Sequence, residues 1–126
     1  MERKLLGRWG EELAASAYKK KGYKLLDANY HSRFGEIDLI LGKGKLVVFS
    51  EVKLRKSARF AAAREFVTRD KQEKIMKTAL LWLADRKPMP EVRFDVVEIY
   101  APLGMESPKN DIKLEIYENA FWLTGE

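Results

Sequence analysis

Two carboxylates and an amine offer the clearest chemistry in this chain: Asp38, Glu51 and Lys53. Glu51 and Lys53 stand two apart, directly after the apolar run Leu46-Val47-Val48-Phe49. In a strand, alternate side chains share a face, so both project to one side while Ser50 and Val52 take the other. Asp38 lies in a second strand-like run, residues 37–41. Gly42-Lys43-Gly44-Lys45 between the two runs reads as a hairpin turn, with glycine supplying positive φ. Antiparallel pairing about that turn puts Asp38 opposite Phe49 to Glu51, with the two acids within roughly 5–8 Å at Cβ. Like charges that close destabilise a sheet unless a proton, the Lys53 amine or a divalent cation compensates. Two carboxylates completed by main-chain and water oxygens suit Mg²⁺. A cation so held can polarise a phosphodiester and acidify a bound water, and a neighbouring lysine can orient that water or offset developing charge. A Glu-x-Lys pair alone is common on solvated strands; Asp38 on the adjacent strand is what gives it weight.

The elements that must position this trio follow from periodicity. Residues 2–21 carry Leu5, Leu6, Trp9 and Leu13 at helical spacing, beside a stripe of Gly7, Gly10, Ala14 and Ala17. Two glycines cost helix propensity, so the stripe predicts close backbone approach to another element. Gly22 ends the helix after Lys19-Lys20-Lys21, which suit the negative end of its dipole. Strands are expected at residues 23–30, 37–41 and 46–54, the last central because its first half is apolar at every position. A basic connection over 55–66 leads to a helix capped by Thr68, with Ile75, Met76, Ala79, Leu80 and Leu83 as its buried stripe. Pro88 and Pro90 lie beyond its end. Residues 94–100 and 112–117 read as two more strands, joined by a loop over 101–110. Helix, three strands, helix, two strands predicts an α/β fold: one domain over 1–126, with a mixed five-stranded sheet flanked by helices.

Composition excludes several classes. The 126 residues contain no cysteine and one histidine, His31, so disulfides, thiolate metal sites and a structural zinc are out. No apolar run approaches the ~20 residues that span a bilayer. The start of the chain reads as charged and helical rather than as a signal peptide, and a cytoplasmic location with no membrane partner is expected. The net charge of +5 favours an anionic partner. Its distribution says more than its size. Between Lys53 and Lys77, the bases Lys53, Arg55, Lys56, Arg59, Arg64, Arg69, Lys71, Lys74 and Lys77 face only Glu65, Asp70 and Glu73. That surplus follows directly after the acids, where a phosphate backbone would lie. Contacts of this kind give salt-sensitive affinity with little sequence information. Phe60 and Phe66 within the run could stack on bases or anchor the loop. His31, Arg33 and Phe34 are read as a turn before the first acid, with His31 a loop residue rather than a general base. The apolar Ala120-Phe121-Trp122-Leu123 follows the last strand as core cover or as a dimer contact.

Gly35-Glu36-Ile37-Asp38-Leu39-Ile40 and Val48-Phe49-Ser50-Glu51-Val52-Lys53-Leu54-Arg55 together resemble the YraN-like uncharacterised bacterial family. The likeness extends over most of the chain. Gly7, Gly10-Glu11 and Ala14 resemble the family's N-terminal helix motif, Lys71 a lysine of its second helix, and Arg93-Phe94-Asp95-Val96-Val97 its late strand. That family is placed in the PD-(D/E)XK nuclease superfamily and is similar to archaeal Holliday junction resolvases. The resemblance implies a restriction-endonuclease-like fold, with Asp38 and Glu51 as metal-binding acids and Lys53 as the catalytic lysine. It also implies that Glu11 completes the metal site. Two departures stand out: Ser50 replaces an apolar residue, and Ile37 replaces the superfamily's proline before the first acid. From the residues alone, Glu11 borders the small-residue stripe and reads equally as a ligand or as a solvated glutamate. Lys71 could reach substrate phosphate or snorkel to water.

These readings converge on a Mg²⁺-dependent endonuclease, with Mn²⁺ as the alternative ion, acting on DNA rather than RNA, on branched or recombination intermediates. Catalysis would rest on Asp38, Glu51, Lys53 and Glu11. Nucleic-acid contacts would come from Arg33, Arg55, Lys56, Arg59, Arg64, Arg69 and Lys71. A homodimer would suit a substrate with two scissile strands. The alternative is a non-catalytic nucleic-acid-binding module of the same fold.

Overall fold

The computed structural model describes residues 3–56 and 67–121. Among these, helix α1 (Arg3–Lys20) is followed by β1 (Lys24–Ser32), β2 (Gly35–Lys43) and β3 (Leu46–Arg55). Helix α2 (Arg69–Leu83), β4 (Glu91–Tyr100) and β5 (Lys113–Phe121) complete the order. Gly22, at a φ of +92°, ends α1 by a turn that only glycine adopts freely, and Gly44 at +58° does the same between β2 and β3. The strands form one sheet in the order β1-β2-β3-β4-β5. Neighbours are antiparallel except β3 and β4, which run parallel and are joined by the crossover that contains α2. The described residues thus form a mixed five-stranded sheet with two helices, of the α/β class. None of the described helices is long and apolar enough to cross a membrane.

Each helix covers one face. On one side Ala14, Ala15 and Tyr18 of α1 pack with Leu39, Leu41, Val48, Val97 and Ile99. On the other, Ile75, Ala79, Trp82 and Leu83 of α2 pack with Ile40, Phe49, Phe94 and Val96. The central strand β3 therefore feeds both clusters with alternate residues, as its unbroken apolar run predicted. Phe49, Phe94 and Phe121 stack in sequence across β3, β4 and β5, at centroid spacings of 5.5 and 5.2 Å.

Several expectations need correcting. In α1 the buried face is Gly10, Ala14, Ala15 and Tyr18, whereas Leu5 is exposed and Leu6 and Trp9 are half-buried. Of the small-residue stripe, Gly7 is exposed and Ala17 half-buried, and Gly10 meets the sheet at Ile99 and Val52. No close backbone approach results: a Cβ on Gly10 would lie 3.9 Å from both, and one on Gly7 would meet nothing. In α2, Trp82 is buried and Leu80 is exposed, which turns the apolar stripe toward Phe49. Strand β5 runs through Phe121, so Ala120 and Phe121 belong to the strand rather than follow it; Trp122 and Leu123 lie outside the described residues. His31 is not in a turn but in β1, where it opposes Glu36 of β2 at 3.4 Å.

Candidate metal centre

The acid pair is set by the β2–β3 register. Leu39 pairs with Ser50, which brings Asp38 level with Glu51. Beyond that point the ladder gives way: Asp38 Oδ2 accepts the Val52 backbone N–H at 2.8 Å. Strict alternation also fails here, since Ile37 and Ile40 both pack on the α2 side while Leu39 and Leu41 pack on the α1 side. The side chain of Asp38 replaces a strand carbonyl as acceptor, and one of its oxygens is thereby fixed.

Glu51 faces α2 and is buried. Lys71 reaches it from the helix, with Nζ 3.1 Å from Oε1, and Lys53 Nζ stands 4.0 Å from the same oxygen. The position of Lys71 follows from the helix start, where Thr68 caps α2 by accepting the Lys71 N–H at 3.2 Å. Ser50 and Val52 point to the opposite side, toward α1, as strand alternation requires.

Burial, together with the Glu51 charge beside it, pushes the Asp38 carboxyl up to about 8 against the pull of the Val52 N–H. The setting therefore favours the protonated form of Asp38 when no cation is bound. Burial also lowers Lys53, with Lys71 adding to the effect and Glu51 opposing it. Lys71 is raised: burial disfavours its charge, but the Glu51 carboxylate outweighs that. The site thus has a carboxyl that resists ionising and an amine that loses its proton more readily than an ordinary lysine. Opposed shifts of this kind are what acid–base chemistry near neutral pH requires.

Glu11 projects from α1 and accepts Asn29 Nδ2 at 2.9 Å, with Asn29 in the left-handed region at φ +52°. Burial raises its carboxyl, and Glu36 and Glu51 add to this against the Asn29 hydrogen bond. Glu11 is thus within electrostatic reach of Asp38 and Glu51. Among the described residues, however, no three acids or histidines converge closely enough to form a cage for an ion. The donor set at Asp38 and Glu51 is two carboxylates, which fits a hard cation such as Mg²⁺ that keeps several water or substrate oxygens.

The expected nucleic-acid contacts fall in three groups. Lys71 joins the acid pair directly. Arg33, Lys56 and Arg69 are exposed, and Arg55 is half-buried with its Nε 3.7 Å from the fully buried Glu98. Arg59 and Arg64, like Phe60 and Phe66, lie outside the described residues.

Sequence reasoning missed the polar interior of β4. Asp95, fully buried, accepts Nε and Nη2 of Arg93 at 2.8 Å each, Tyr18 OH at 2.8 Å and the Asn119 N–H at 3.0 Å. Because the one Tyr18 proton goes to Asp95, Ser50 Oγ must donate to Tyr18 across their 3.0 Å contact. This explains why position 50 is a serine: it closes a network. Glu98, three residues on and on the other face, accepts from Tyr100 OH. The signal was present in Arg93-Phe94-Asp95-Val96-Val97-Glu98, where two acids interrupt an otherwise apolar strand.

Comparison with known proteins fits this geometry into a family. The profile described as uncharacterised protein family UPF0102 matches residues 10–99, a span that includes Glu11, Asp38, Glu51, Lys53, Lys71 and Asp95. A UPF0102 protein of Syntrophomonas wolfei is 50% identical over 100 residues, covering 79% of this chain and 87% of the relative. One of Thermodesulfovibrio yellowstonii is 41% identical over 122 residues, covering 97% and 100%. One of Vibrio parahaemolyticus is 42% identical over 97 residues, covering 75% and 80%. This chain belongs to the uncharacterised protein family UPF0102.

Proposed function

We propose that this protein is a metal-dependent nuclease of the PD-(D/E)XK type, with a restriction-endonuclease-like fold, that hydrolyses phosphodiester bonds in DNA, including branched or recombination intermediates. One observation carries the reading: Asp38 and Glu51 of adjacent strands meet beside two lysines in a partly desolvated setting that raises Asp38 to about 8. Such a pair costs stability without an ion and suits Mg²⁺ or Mn²⁺. When bound, that ion would supply Lewis acidity toward the phosphate and an acidified water. Asp38 and Glu51 would hold it, with Asp38 giving up its proton on binding. Lys53, lowered by burial, is suited to orienting the attacking water or taking its proton. Lys71 would move from Glu51 to a phosphate oxygen as the cation takes its place. Glu11, held by Asn29, would act through ordered water. Arg33, Arg55, Lys56 and Arg69 would contact backbone phosphates.

A second reading has its own observation. The 3.1 Å Lys71–Glu51 pair already balances one acid, as in a nucleic-acid-binding module of the same fold that has no need of a metal. Cleavage assays on linear, single-stranded and four-way-junction DNA with Mg²⁺ or Mn²⁺, with Glu51→Ala as control, separate the two. The nuclease reading expects cleavage that Glu51→Ala abolishes. Salt-sensitive binding with no cleavage and no Mg²⁺ uptake by calorimetry would leave the module.

A further inference from the structure

The β1–β2 turn and the exposed side of α2 build a second basic surface beside the acid pair. Ser32 Oγ meets Thr78 Oγ1 of α2 at 2.8 Å and accepts the Phe34 N–H at 3.0 Å, which docks the turn on the helix. Gly35, at a φ of +151°, lies against Lys74: a Cβ added there would stand in ordinary contact, 3.6 Å from the Lys74 Cβ. The half-buried Phe34 ring then gathers two cations, with Arg33 Cζ 4.9 Å and Lys77 Nζ 5.5 Å from its centroid. Among the described residues neither cation has a carboxylate partner. Two like charges on one ring repel each other, and the ring's attraction is worth only about 0.5–1 kcal/mol at an exposed site. An arrangement of this kind is completed by an anion.

Its direction is informative. Lys71, Lys74 and Lys77 occupy successive turns of α2, and their Cα atoms rise about 9 Å along the helix as the row winds toward the turn. Lys71 touches Glu51, Lys74 stands between in an exposed i,i+4 pair with Asp70 at 3.1 Å, and Lys77 meets Arg33 over Phe34. The row begins at the candidate metal centre and leads from it to the β1–β2 turn. From this we infer that Lys74, Lys77 and Arg33, ordered by Phe34, form the track for the nucleic-acid strand on one side of the scissile phosphate. The inference rests on the nuclease reading for its partner. To the basic run read from the sequence it adds an aromatic scaffold, Phe34, which brings Arg33 of the β1–β2 turn to the Lys74–Lys77 row.

The test is binding rather than cleavage. Anisotropy of a fluorescein-labelled duplex, with divalent ions chelated, is followed over a salt series for three proteins. These are wild type, Arg33→Gln/Lys74→Gln/Lys77→Gln, and the control Lys19→Gln/Lys20→Gln/Lys24→Gln. The control removes the same charge at the opposite end of the β1–β2 hairpin. The ridge variant should lower the slope of log affinity against log salt by about 2 to 3 and weaken binding at least tenfold at low salt, and the control should do neither. Phe34→Leu, which keeps bulk but loses the π face, should weaken binding a few-fold with the slope nearly unchanged; no change would remove the ring from the proposal. Equal losses in ridge and control variants would overturn the track, because net charge alone would then explain binding. Wild-type binding unaltered in the ridge variant would overturn it and leave the nuclease reading standing. No binding by wild type at the lowest salt would overturn both.

Discussion

Ser50 and Glu51 are neighbours on one strand, yet they anchor polar clusters of opposite character on the two faces of the sheet. On the α1 side, Asp95 receives four hydrogen bonds, Ser50 and Tyr18 complete the chain of donors, and Arg93 is held further up by Asp95. Arg93 and Asp95 form a bidentate pair, with Tyr23 OH and Glu118 also at the guanidinium. On the α2 side, Asp38 has one backbone donor, and Glu51 shares two ammonium groups that also repel each other. Both clusters are polar and both are largely removed from water. Only the second is out of balance. A closed polar network specifies a core, whereas an unbalanced one is suited to receive an ion or a substrate.

Removing the unbalanced acids is the sharpest way to test this contrast. Asp38→Ala or Glu51→Ala should cut metal-dependent cleavage on the order of 10²–10³-fold or more, while the melting temperature of the metal-free Asp38→Ala protein at pH 8 stays level or rises. A fall in stability as large as that of a core variant would erase the distinction between the faces. Asp95→Ala tests the other face. It removes the bidentate partner of a largely buried guanidinium, leaving it Tyr23 OH and the half-exposed Glu118 at 3.7 Å, and should cost about 3–5 kcal/mol in urea denaturation, with cleavage per folded molecule unchanged. If activity fell instead and stability held, the closed network would be part of the site.

A pH titration compares the two faces in one protein. Asp38 is raised from 3.8 to about 8, so the folded state binds its proton more tightly than the unfolded state does. That contribution to stability is complete below the unfolded value and is lost as pH rises toward and through about 8. Thermal melts without metal should therefore fall across this window. Asp38→Asn should flatten the decline, and Mg²⁺ should stabilise more at pH 8 than at pH 6. A wild-type curve already flat would mean that Asp38 ionises normally. The smallest effect belongs to Lys71→Gln. Loss of an ammonium that competes for Glu51 should tighten Mg²⁺ binding by up to about 1 kcal/mol, or fivefold, as read by calorimetry. Weaker Mg²⁺ binding would show that Lys71 orders the acid rather than competes for it.

Much of this was legible in the sequence, for a local reason. Asp38, Glu51 and Lys53 belong to one hairpin, so turn chemistry and the two-residue period are enough to bring them together. Thr68 as a helix cap and β3 as a strand covered on both faces followed from equally short-range rules. What escaped depends on long-range docking. In α1 the apolar stripe Leu5, Leu6, Trp9 and Leu13 is as regular as the small-residue stripe beside it, and periodicity alone does not say which one meets the sheet. The pairing of Lys71 with Glu51 needs the crossover through α2, and the Asp95 network joins residues from α1, β3, β4 and β5. No spacing in the chain encodes those meetings.

The hydrogen bond from the Val52 N–H to Asp38 has a mechanical consequence. Val52 is the residue between Glu51 and Lys53, so the acid from β2 is fastened to the backbone that carries the other two groups. A shift of β2 against β3 that parted Asp38 from Glu51 would have to break this bond. One amide thus ties the β2 acid to the stretch of β3 that bears its two companions.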